Sequence, residues 1–452
     1  MRVSIVGTGY VGLVSGACLA EIGHDVVCVD VDAAKVAQIL RGVPPIYEQG
    51  LEELLKKNLG KRFTATGDLR AAVLGSELTL IAVGTPFDGA KIDLSYVRQV
   101  AGAIGAALRD MGDYHVVVVK STVVPGTTSG VVLPILEEAS GKRAGPDFGV
   151  GVNPEFLTEG QAIRDFMNPD RIVLGAVDPR TMKVLERLYA FFAGAPRVRT
   201  NPSTAEMIKY SSNAVLATAI SFSNEIANLC AALGDVDVVE VMEGVHASSY
   251  FTVRGPDGKR TKAPITSFLQ AGSGFGGSCL PKDVKALIAH GEGLGLPMSL
   301  LRSVIKVNEA QPAEILRALD KHFPSLDGVR VAVLGLAFKP DTNDVRESPA
   351  FPVIRSLLER KASVKAYDPV AVQEAQKIIG GAIVYSRTLE ESLVDVDAVV
   401  LLTRWKQFES VPAMLSTRWP PPLLVDGRRQ LDKHAVARYA GIGLGDRRTG
   451  AN

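Results

Sequence analysis

The fold is decided by Arg2–Asp30, which reads RVSIVGTGYVGLVSGACLAEIGHDVVCVD. A short apolar strand, Arg2–Val6, leads into the turn Gly7–Gly12 with the spacing GxGxxG, and a helical run then leads into a second strand that ends on Asp30. In this context the turn places a helix N-terminus against a pyrophosphate, and the acidic residue accepts hydrogen bonds from ribose hydroxyls. An ordinary glycine turn in a βαβ unit is the alternative. Val31-Asp32 follows without an adjacent Arg for a 2′-phosphate, so the stretch predicts NAD rather than NADP.

Strands with polar tips continue the pattern. Leu78–Val83 ends before Gly84-Thr85-Pro86, Val116–Lys120 before Ser121-Thr122, and Gly149–Val152 before Asn153-Pro154-Glu155. Because ligands bind beyond the carboxyl ends of parallel strands, we expect these tips to line the cofactor crevice. Glu155 and Glu159 are spaced i, i+4 and would share one face if their segment were helical; two solvated glutamates are the alternative.

The opening pattern recurs after Pro324. The repeat consists of strand Val329–Leu334, the turn Gly335-Leu336-Ala337-Phe338, a helix from Pro349, strand Ser363–Tyr367 ending on Asp368, and strand Ala398–Leu402. Its glycine turn lacks GxGxxG, so we expect it to bind a nucleotide differently from the first unit. Between the two units, Ser203–Leu233 contains no Pro or Gly and predicts one helix of about 30 residues that ends at Gly234.

These patterns predict an α/β protein with two Rossmann-like parallel-sheet domains joined by a long central helix. The expected domains are residues 1–200 for the dinucleotide, 201–322 for the central helix and a cysteine loop, and 323–452 for the second sheet. A helix of this length that is not a coiled coil is expected to pack against a partner subunit. The last stretch, Asp446–Asn452, is polar and is expected to be frayed.

The segment Gly272–Asp283, GSGFGGSCLPKD, places four glycines in six residues ahead of a single thiol, Cys279. Pro281 suits the first position of a helix, so Cys279 is predicted to lie just before a helix N-terminus and beside Lys282. Both features favour the thiolate, and a thiolate on a glycine platform suits attack on a carbonyl carbon. A buried structural cysteine is the alternative.

Two further parts of the sequence that contain basic residues have more than one interpretation. Lys209 and Asn213 lie one turn apart on the predicted central helix, so they either point at one substrate group or belong to a solvated face. The segment Arg254–Lys262, RGPDGKRTK, is either a mobile lid or a surface hairpin.

Composition limits the function classes. The 452 residues carry a net charge of +1 with 22% charged residues, so nucleic acid is not an expected partner. The four cysteines, Cys18, Cys28, Cys230 and Cys279, form no CxxC pair, and the six histidines show no metal-ligand spacing, so neither disulfides nor a metal is expected. Cys18 and Cys28 are expected in the core. With no leader-like segment and no run of 18 apolar residues, we expect a cytoplasmic chain without a membrane partner.

Together these motifs resemble those of the UDP-glucose/GDP-mannose dehydrogenase family. In family order they are GTGYVG at 7–12, VGTP at 83–86, KSTVVPGT at 120–127, NPEFLTEG at 153–160, the Lys209/Asn213 helix, GFGGSCLPKD at 274–283 and GLAFKPDTNDVRESPA at 335–350. The resemblance implies homodimers or larger homo-oligomers and a four-electron oxidation of a nucleotide-sugar C6 alcohol to the carboxylate, with two NAD consumed. UDP-glucose is the favoured substrate and GDP-mannose the alternative.

The resemblance also implies roles for individual residues. Cys279 would be the nucleophile that forms a thiohemiacetal and then a thioester, Lys209 and Asn213 would stabilise the oxyanion, and Asp283 and Thr122 would transfer protons through water, with Glu155 and Glu159 as possible bases. The expected cofactor residues are Gly7, Gly9, Val11, Gly12, Asp30, Lys35, Thr85, Thr122, Glu159, Lys282 and Arg346. The expected nucleotide-sugar residues are Glu155, Phe156, Leu157, Glu159, Lys209, Asn213, Phe268, Leu269, Gln270, Ala271, Gly272, Gly276 and Lys339.

One region departs from the family pattern. Many UDP-glucose members carry Arg-Ile-Gly shortly before the glycine loop, and its Arg reaches a neighbouring subunit's substrate. Here the region reads YFTVRGPDGKRTKAPITSFL, so Arg254, Arg260 or Lys262 would have to replace it. The spelling GGSCLPKD differs from the GGHC loop of the N-acetylated-sugar branch. A two-electron β-hydroxyacid dehydrogenase, which needs no thiol, and a non-enzymatic nucleotide sensor are the remaining alternatives.

Overall fold

The computed structural model describes residues 1–255 and 257–445, and the segment Asp446–Asn452, expected to be frayed, lies outside them. The chain divides into two compact units, Met1–Ser212 and Asn213–Asn452. The predicted fold class, two parallel-sheet units and a long helix, is confirmed. The three-domain division at 200 and 322 stays a prediction.

The first unit contains one eight-stranded sheet with helices on both faces. Its strands are β1 (Arg2–Val6), β2 (Asp25–Val29), β3 (Phe63–Thr66), β4 (Leu78–Ile81), β5 (His115–Val119), β6 (Phe148–Val152), β7 (Ile172–Ala176) and β8 (Arg197–Thr200). Its helices are α1 (Tyr10–Glu21), α2 (Ala33–Leu40), α3 (Leu51–Asn58), α4 (Leu69–Leu74), α5 (Ser95–Leu108), α6 (Leu133–Ser140) after a π-helical turn (Thr128–Val132), α7 (Ala162–Met167) and α8 (Pro179–Leu188).

The strand order of this sheet is β3-β2-β1-β4-β5-β6-β7-β8, and only β6 and β7 pair antiparallel. Strands β5 (HVVVV) and β6 (FGVGV) are buried along their whole length because helices cover both faces of the sheet. The strand order reverses between β1 and β4, so a ligand crevice is expected beyond their carboxyl ends. The predicted polar tips lie at this edge.

The second unit is built around a six-stranded parallel sheet of order β13-β12-β11-β14-β15-β16 and a separate hairpin, β9–β10. The strands are β9 (Thr252–Arg254), β10 (Arg260–Lys262), β11 (Arg330–Leu334), β12 (Ser363–Tyr367), β13 (Val384–Tyr385), β14 (Ala398–Leu401), β15 (Leu423–Asp426) and β16 (Tyr439–Gly441). The helices are α10 (Val238–His246), α11 (Leu280–Gly293), α12 (Ser299–Asp320), α13 (Ala350–Glu359), α14 (Val372–Ile379), α15 (Leu389–Ser392) and α16 (Val411–Ser416), with short 3-10 turns at Pro264–Ser267 and Lys406–Ser410.

The predicted long helix is α9 (Pro202–Leu233), 32 residues that begin in the first unit and end in the second. It stops at Gly234, whose φ of 71° leaves the helical region. Among the described residues it is the one helix long and apolar enough to cross a membrane by length and composition, with a mean hydropathy of 1.2. A buried glutamate in its second turn, Glu206, accepts hydrogen bonds from the Gly126 and Thr128 amides at 2.6 and 2.8 Å, so the beginning of α9 is bonded to the first unit.

Candidate active site

The turn between β1 and α1 has the shape that a pyrophosphate requires. Gly7 adopts a φ of 105°, and a Cβ added at Gly12 would lie only 1.9 Å from the Gly7 carbonyl oxygen. Gly9, in contrast, faces open space. Any side chain at Gly7 or Gly12 would therefore fill the turn. With glycine at both positions, the amides at the start of α1 stay open to an anion.

Asp30 provides the ribose acceptor that the sequence predicts. Its Oδ2 accepts hydrogen bonds from the Thr8 amide at 3.0 Å and from the Thr8 hydroxyl, and its Oδ1 accepts from the Asp32 amide at 3.0 Å. Burial raises the pKa of Asp30, but these hydrogen bonds outweigh burial and hold it below the ordinary value. The half-buried carboxylate is therefore ionised and keeps lone pairs for two hydroxyls. Lys35 lies in the first turn of α2 close by.

The tips of β4 and β5 meet, as the sequence predicts. The Thr85 hydroxyl donates to the Thr122 carbonyl oxygen at 2.7 Å, and the Ser121 hydroxyl donates to the Val83 carbonyl oxygen at 2.7 Å. These bonds join the VGTP and KST motifs into one edge beside the dinucleotide turn.

The motif NPEFLTEG is an extended loop and not a helix, so Glu155 and Glu159 do not share a helical face. Glu155 Oε2 accepts from the Leu157 amide at 2.6 Å, a local bond that competes with helix formation. The loop ends where Glu48, which the sequence analysis missed, accepts from the Gly160 and Ala162 amides at 2.7 and 2.8 Å. Glu48 also accepts from the Tyr10 hydroxyl. It thereby ties this loop to the dinucleotide turn.

Glu155 and Lys209 form a buried ion pair at 2.9 Å. Burial raises the pKa of Glu155, but Lys209, the Leu157 amide and Lys120 together hold it below its ordinary value. Because this lowered pKa makes the Glu155 carboxylate a weak proton acceptor, its ion pair favours a role as counter-ion of Lys209 over the expected role as a base. Phe156 packs under Arg171, with the guanidinium 4.0 Å from the ring centroid.

In the second unit, Cys279 lies at the N-cap of α11 and is half-exposed, whereas the other three cysteines are buried. The helix begins at Leu280, one residue earlier than expected, so Pro281 takes its second position. Burial raises the pKa of Cys18 to about 12 and also raises the pKa values of Cys28 and Cys230. Of the four thiols, Cys279 alone combines access with a helix N-terminus, which favours the nucleophile over the structural alternative.

The glycines ahead of Cys279 permit close packing against the turn after β11. A Cβ at Gly276 would lie 2.2 Å from the Glu347 carbonyl oxygen, and one at Gly277 would lie 2.7 Å from the Phe338 ring. A clamp from α12 holds the loop: Asn308 Oδ1 accepts from the Phe275 amide at 2.7 Å, and Asn308 Nδ2 donates to the Phe275 carbonyl oxygen at 3.0 Å. The loop is therefore a fixed platform, which fits a nucleophile that must be positioned.

Three predicted residues come together beside this platform. Asn213 Nδ2 donates to Asp283 Oδ2 at 2.6 Å, and Lys282 Nζ lies 2.7 Å from Asp283 Oδ1. Asp283 is only 1% exposed, so its charge depends on these two partners. Lys282, one of the residues expected at the cofactor, forms an ion pair with Asp283.

A partly buried guanidinium that the sequence analysis missed, that of Arg428, lies at the carboxyl end of β15. Arg428 donates to the carbonyl oxygens of Leu402 and Gly274 at 2.6 and 2.8 Å, and burial lowers its pKa to about 9. Arg404 donates to the Arg428 carbonyl oxygen at 2.9 Å and to the Gln270 side chain. No described carboxylate pairs with the Arg428 guanidinium, so the site fits an anionic ligand such as a diphosphate.

The second sheet differs from the first at its acidic strand end. Asp368, the counterpart of Asp30, accepts five hydrogen bonds, from the amides of Leu336, Ala337, Val370 and Ala371 and from the Trp405 indole, at 2.8 to 3.1 Å. With the carboxylate saturated and only 2% exposed, no acceptor remains for a ribose. A dinucleotide therefore fits the first sheet and not the second.

Other expected residues differ in their surroundings. Arg346 pairs with Asp344 at 2.7 Å, and the Lys339 ammonium lies 5.9 Å from the Phe338 ring centroid. In the segment Phe268–Gly272, Leu269 and Ala271 are buried and Gln270 is exposed.

The basic region ahead of the glycine loop is a hairpin in which Arg260 is engaged with its own subunit. Arg260 donates to the Ala247 carbonyl oxygen at 3.1 Å and to the Thr252 hydroxyl at 2.8 Å. Lys262 lines a cavity of about 330 Å³ with Gln270. Across residues 1–255 and 257–445, no group of three or more His, Cys, Asp or Glu side chains is arranged to hold a metal.

A ribose acceptor beside an open glycine turn, with a platform-held thiol elsewhere in the chain, is the arrangement of a dinucleotide-dependent dehydrogenase. Three models of the UDP-glucose/GDP-mannose dehydrogenase family match this chain: the NAD binding domain at residues 1–193, the central domain at 203–310 and the UDP binding domain at 332–433. The chain belongs to this family, and its cofactor is NAD.

Relatives are similar along nearly the whole length. The UDP-glucose 6-dehydrogenase TuaD of Bacillus subtilis is 43% identical over 97% of this chain and 92% of its own. The GDP-mannose 6-dehydrogenase of Azotobacter vinelandii is 42% identical over 81% of each chain. A UDP-glucose dehydrogenase structure from Pyrobaculum islandicum superposes with a TM-score of 0.87 at 40% identity, covering 98% of this chain and 97% of that one.

Proposed function

We propose that this protein oxidises UDP-glucose at C6 to UDP-glucuronate in the cytoplasm, with two NAD consumed per sugar. The observation that carries the proposal is Cys279, half-exposed at a helix N-terminus in a chain that is similar to UDP-glucose dehydrogenases over nearly its whole length. The similarity to a UDP-glucose dehydrogenase over nearly the whole length of both chains, in sequence and in structure, supports uridine over guanosine. GDP-mannose is the second candidate because one relative with that name is nearly as similar.

The first unit has the residues to hold NAD. The amides at the start of α1 face the pyrophosphate position, and Asp30 retains acceptor capacity for a ribose. When bound, NAD accepts the hydrides that leave C6. Thr85 and Thr122, joined at the neighbouring strand tips, would line the same crevice.

Cys279 would add to the C6 aldehyde to form a thiohemiacetal, and loss of the second hydride would leave a thioester. Water then cleaves the thioester, which releases the carboxylate and restores the thiol. Asn213 would orient the oxygen at C6, and the Asp283 carboxylate, in contact with Asn213 at 2.6 Å, would take up its proton. Fixed donors aimed at a developing oxyanion commonly supply about 3 kcal/mol each.

Lys209 would supply positive charge toward that oxyanion. Its partner Glu155 is ionised and buried, which fixes the ammonium in one place at 2.9 Å. Arg428 and Lys339 would hold the diphosphate, since the Arg428 guanidinium has carbonyl partners and no described carboxylate.

We also propose a homodimer that packs through α9. Val215, Phe222, Leu229 and Leu233 recur at spacings of seven, seven and four residues, and each is 50% to 59% exposed. Such a stripe on one helix face supports association with a second copy. Phe222→Asp should convert the dimer to a monomer in size-exclusion chromatography with light scattering, whereas Glu225→Gln, on the same helix, should not.

The assay is NADH absorbance with a panel of UDP-glucose, GDP-mannose, an N-acetylated UDP-hexosamine and a β-hydroxy acid. We expect UDP-glucose to give the highest kcat/KM and two NADH per sugar consumed. One NADH per sugar would remove the thioester mechanism, and oxidation of the β-hydroxy acid alone would assign the two-electron class. Binding of nucleotide without any turnover would identify a sensor.

A further inference from the structure

A buried lysine that the mechanism above does not use lies directly after β5. Lys120 is 3% exposed, and its Nζ donates to Asn153 Oδ1 at 2.8 Å. Asn153 Nδ2 donates to the Val173 carbonyl oxygen at 3.0 Å, and the Tyr189 hydroxyl donates to Asn153 Oδ1. These bonds fix the amide so that its oxygen faces the ammonium. Lys120 is thus held by a group that carries no charge.

Lys120 lies close to the buried ion pair of Glu155 and Lys209. Glu155 acts on the Lys120 ammonium and forms its ion pair with Lys209. One buried carboxylate therefore interacts with two buried ammonium groups. The other charged or titratable groups that line the adjoining cavity of about 260 Å³ are Asp165, Asp170, Arg171 and Tyr189. Asp170 pairs with Arg171 at 2.7 Å, and burial raises the pKa of Tyr189, so the Tyr189 hydroxyl stays neutral. Buried charged groups are costly and are concentrated at functional sites.

The charge on Lys120 is adjustable near neutral pH. Burial lowers its pKa to about 8, with Glu155 opposing the fall and Lys209 adding to it. Lys120 in turn is one of the groups that hold the pKa of Glu155 down. An arginine in this place would keep its charge to a higher pH than the lysine does, and a methionine would be neutral at every pH.

We propose that Lys120 is a positioning residue for the oxidation: its ammonium, anchored on Asn153, supplies the second positive charge that keeps Glu155 ionised and so keeps in place the carboxylate with which Lys209 pairs. The proposal rests on the proposed function, because Lys120 acts through Lys209. It concerns only groups of the first unit.

The test is the pH dependence of kcat for Lys120→Arg and Lys120→Met, with the exposed Lys183→Met as the matched control. We expect wild type and the control to lose activity above about pH 8. Lys120→Arg should keep a high rate without that loss, and Lys120→Met should be about tenfold slower, equivalent to about 1.4 kcal/mol, without a change near pH 8. A Lys120→Met rate equal to wild type, or a Lys120→Arg profile that falls with wild type, would overturn the proposal.

A second measurement separates this proposal from the proposed function. Because the folded chain binds Lys120's proton less tightly than the unfolded chain, wild-type Tm should rise relative to that of Lys120→Arg between about pH 8 and pH 10.5. This readout needs no substrate. If the wild type oxidises no nucleotide sugar but this Tm difference appears, Lys120 titrates as described but its role in the oxidation is refuted. If turnover is present and the Tm curves run parallel, Lys120 does not titrate as proposed and the proposal fails alone.

Discussion

Gly276→Ala tests whether the platform under Cys279 must be this close to the turn after β11. A Cβ at Gly276 would lie 2.2 Å from the Glu347 carbonyl oxygen. A Cβ and a carbonyl oxygen in ordinary contact are about 3.2 Å apart, so the loop must move by about 1 Å. Overpacking of this kind costs about 1–3 kcal/mol. A displacement of about 1 Å at reacting atoms costs about 100-fold in rate. We therefore expect kcat to fall by about two orders of magnitude.

The matched control is Gly244→Ala, because an added Cβ there meets no atom within 4 Å and the residue lies inside the helix α10. It should leave kcat unchanged and stabilise the protein by up to about 1 kcal/mol. The assay is initial-rate NADH formation, with the rate of Cys279 alkylation as a direct measure of thiol position. A Gly276→Ala enzyme within twofold of the wild-type kcat would refute the reasoning.

Three further predictions concern separate parts of the molecule. Burial lowers the pKa of His115 to about 4 from 6.5, so the folded chain binds this proton less tightly than the unfolded chain does. The free energy of unfolding is therefore highest above about pH 6.5 and falls by roughly 3 kcal/mol as the pH drops to about 4. His115→Gln should flatten the urea-unfolding free energy over that range, whereas the exposed His434→Gln should not. Arg428→Gln should raise KM for the nucleotide sugar about 10- to 100-fold while KM for NAD stays within about twofold; equal changes in both constants would contradict the assigned ligand. Asn308→Asp removes the donor to the Phe275 carbonyl oxygen and should lower kcat with little effect on KM; an unchanged kcat would show that the clamp is not needed.

Much of the fold follows from local sequence. The element bounds predicted from Arg2–Asp30, Ser203–Leu233 and the repeat after Pro324 agree with the structure within two residues, because buried parallel strands and glycine turns leave strong local patterns. The spacing of Glu155 and Glu159 would have placed them on one face only if NPEFLTEG were helical. Glu155 instead bonds the Leu157 amide, and Glu48 fixes the end of the loop from more than 100 residues away in sequence.

The site was predictable only where a motif marked it. Cys279, Asp30 and Lys209 stand in short patterns whose residue types suit one chemistry. Arg428 stands in no motif, and Lys120 opens the KSTVVPGT motif without any local sign that its ammonium is buried, since a lysine is ordinarily solvated and only the tertiary structure shows it buried.

The most direct test of the central claim is the rate of UDP-glucuronate formation by Cys279→Ser, with Cys230→Ser as the control for loss of a thiol. If the Cys279 sulfur forms the bond to C6, Cys279→Ser makes no detectable acid, binds NAD with an affinity close to that of the wild type and keeps its Tm, while Cys230→Ser stays active. Acid formation by Cys279→Ser at a rate near that of the wild type would contradict the account.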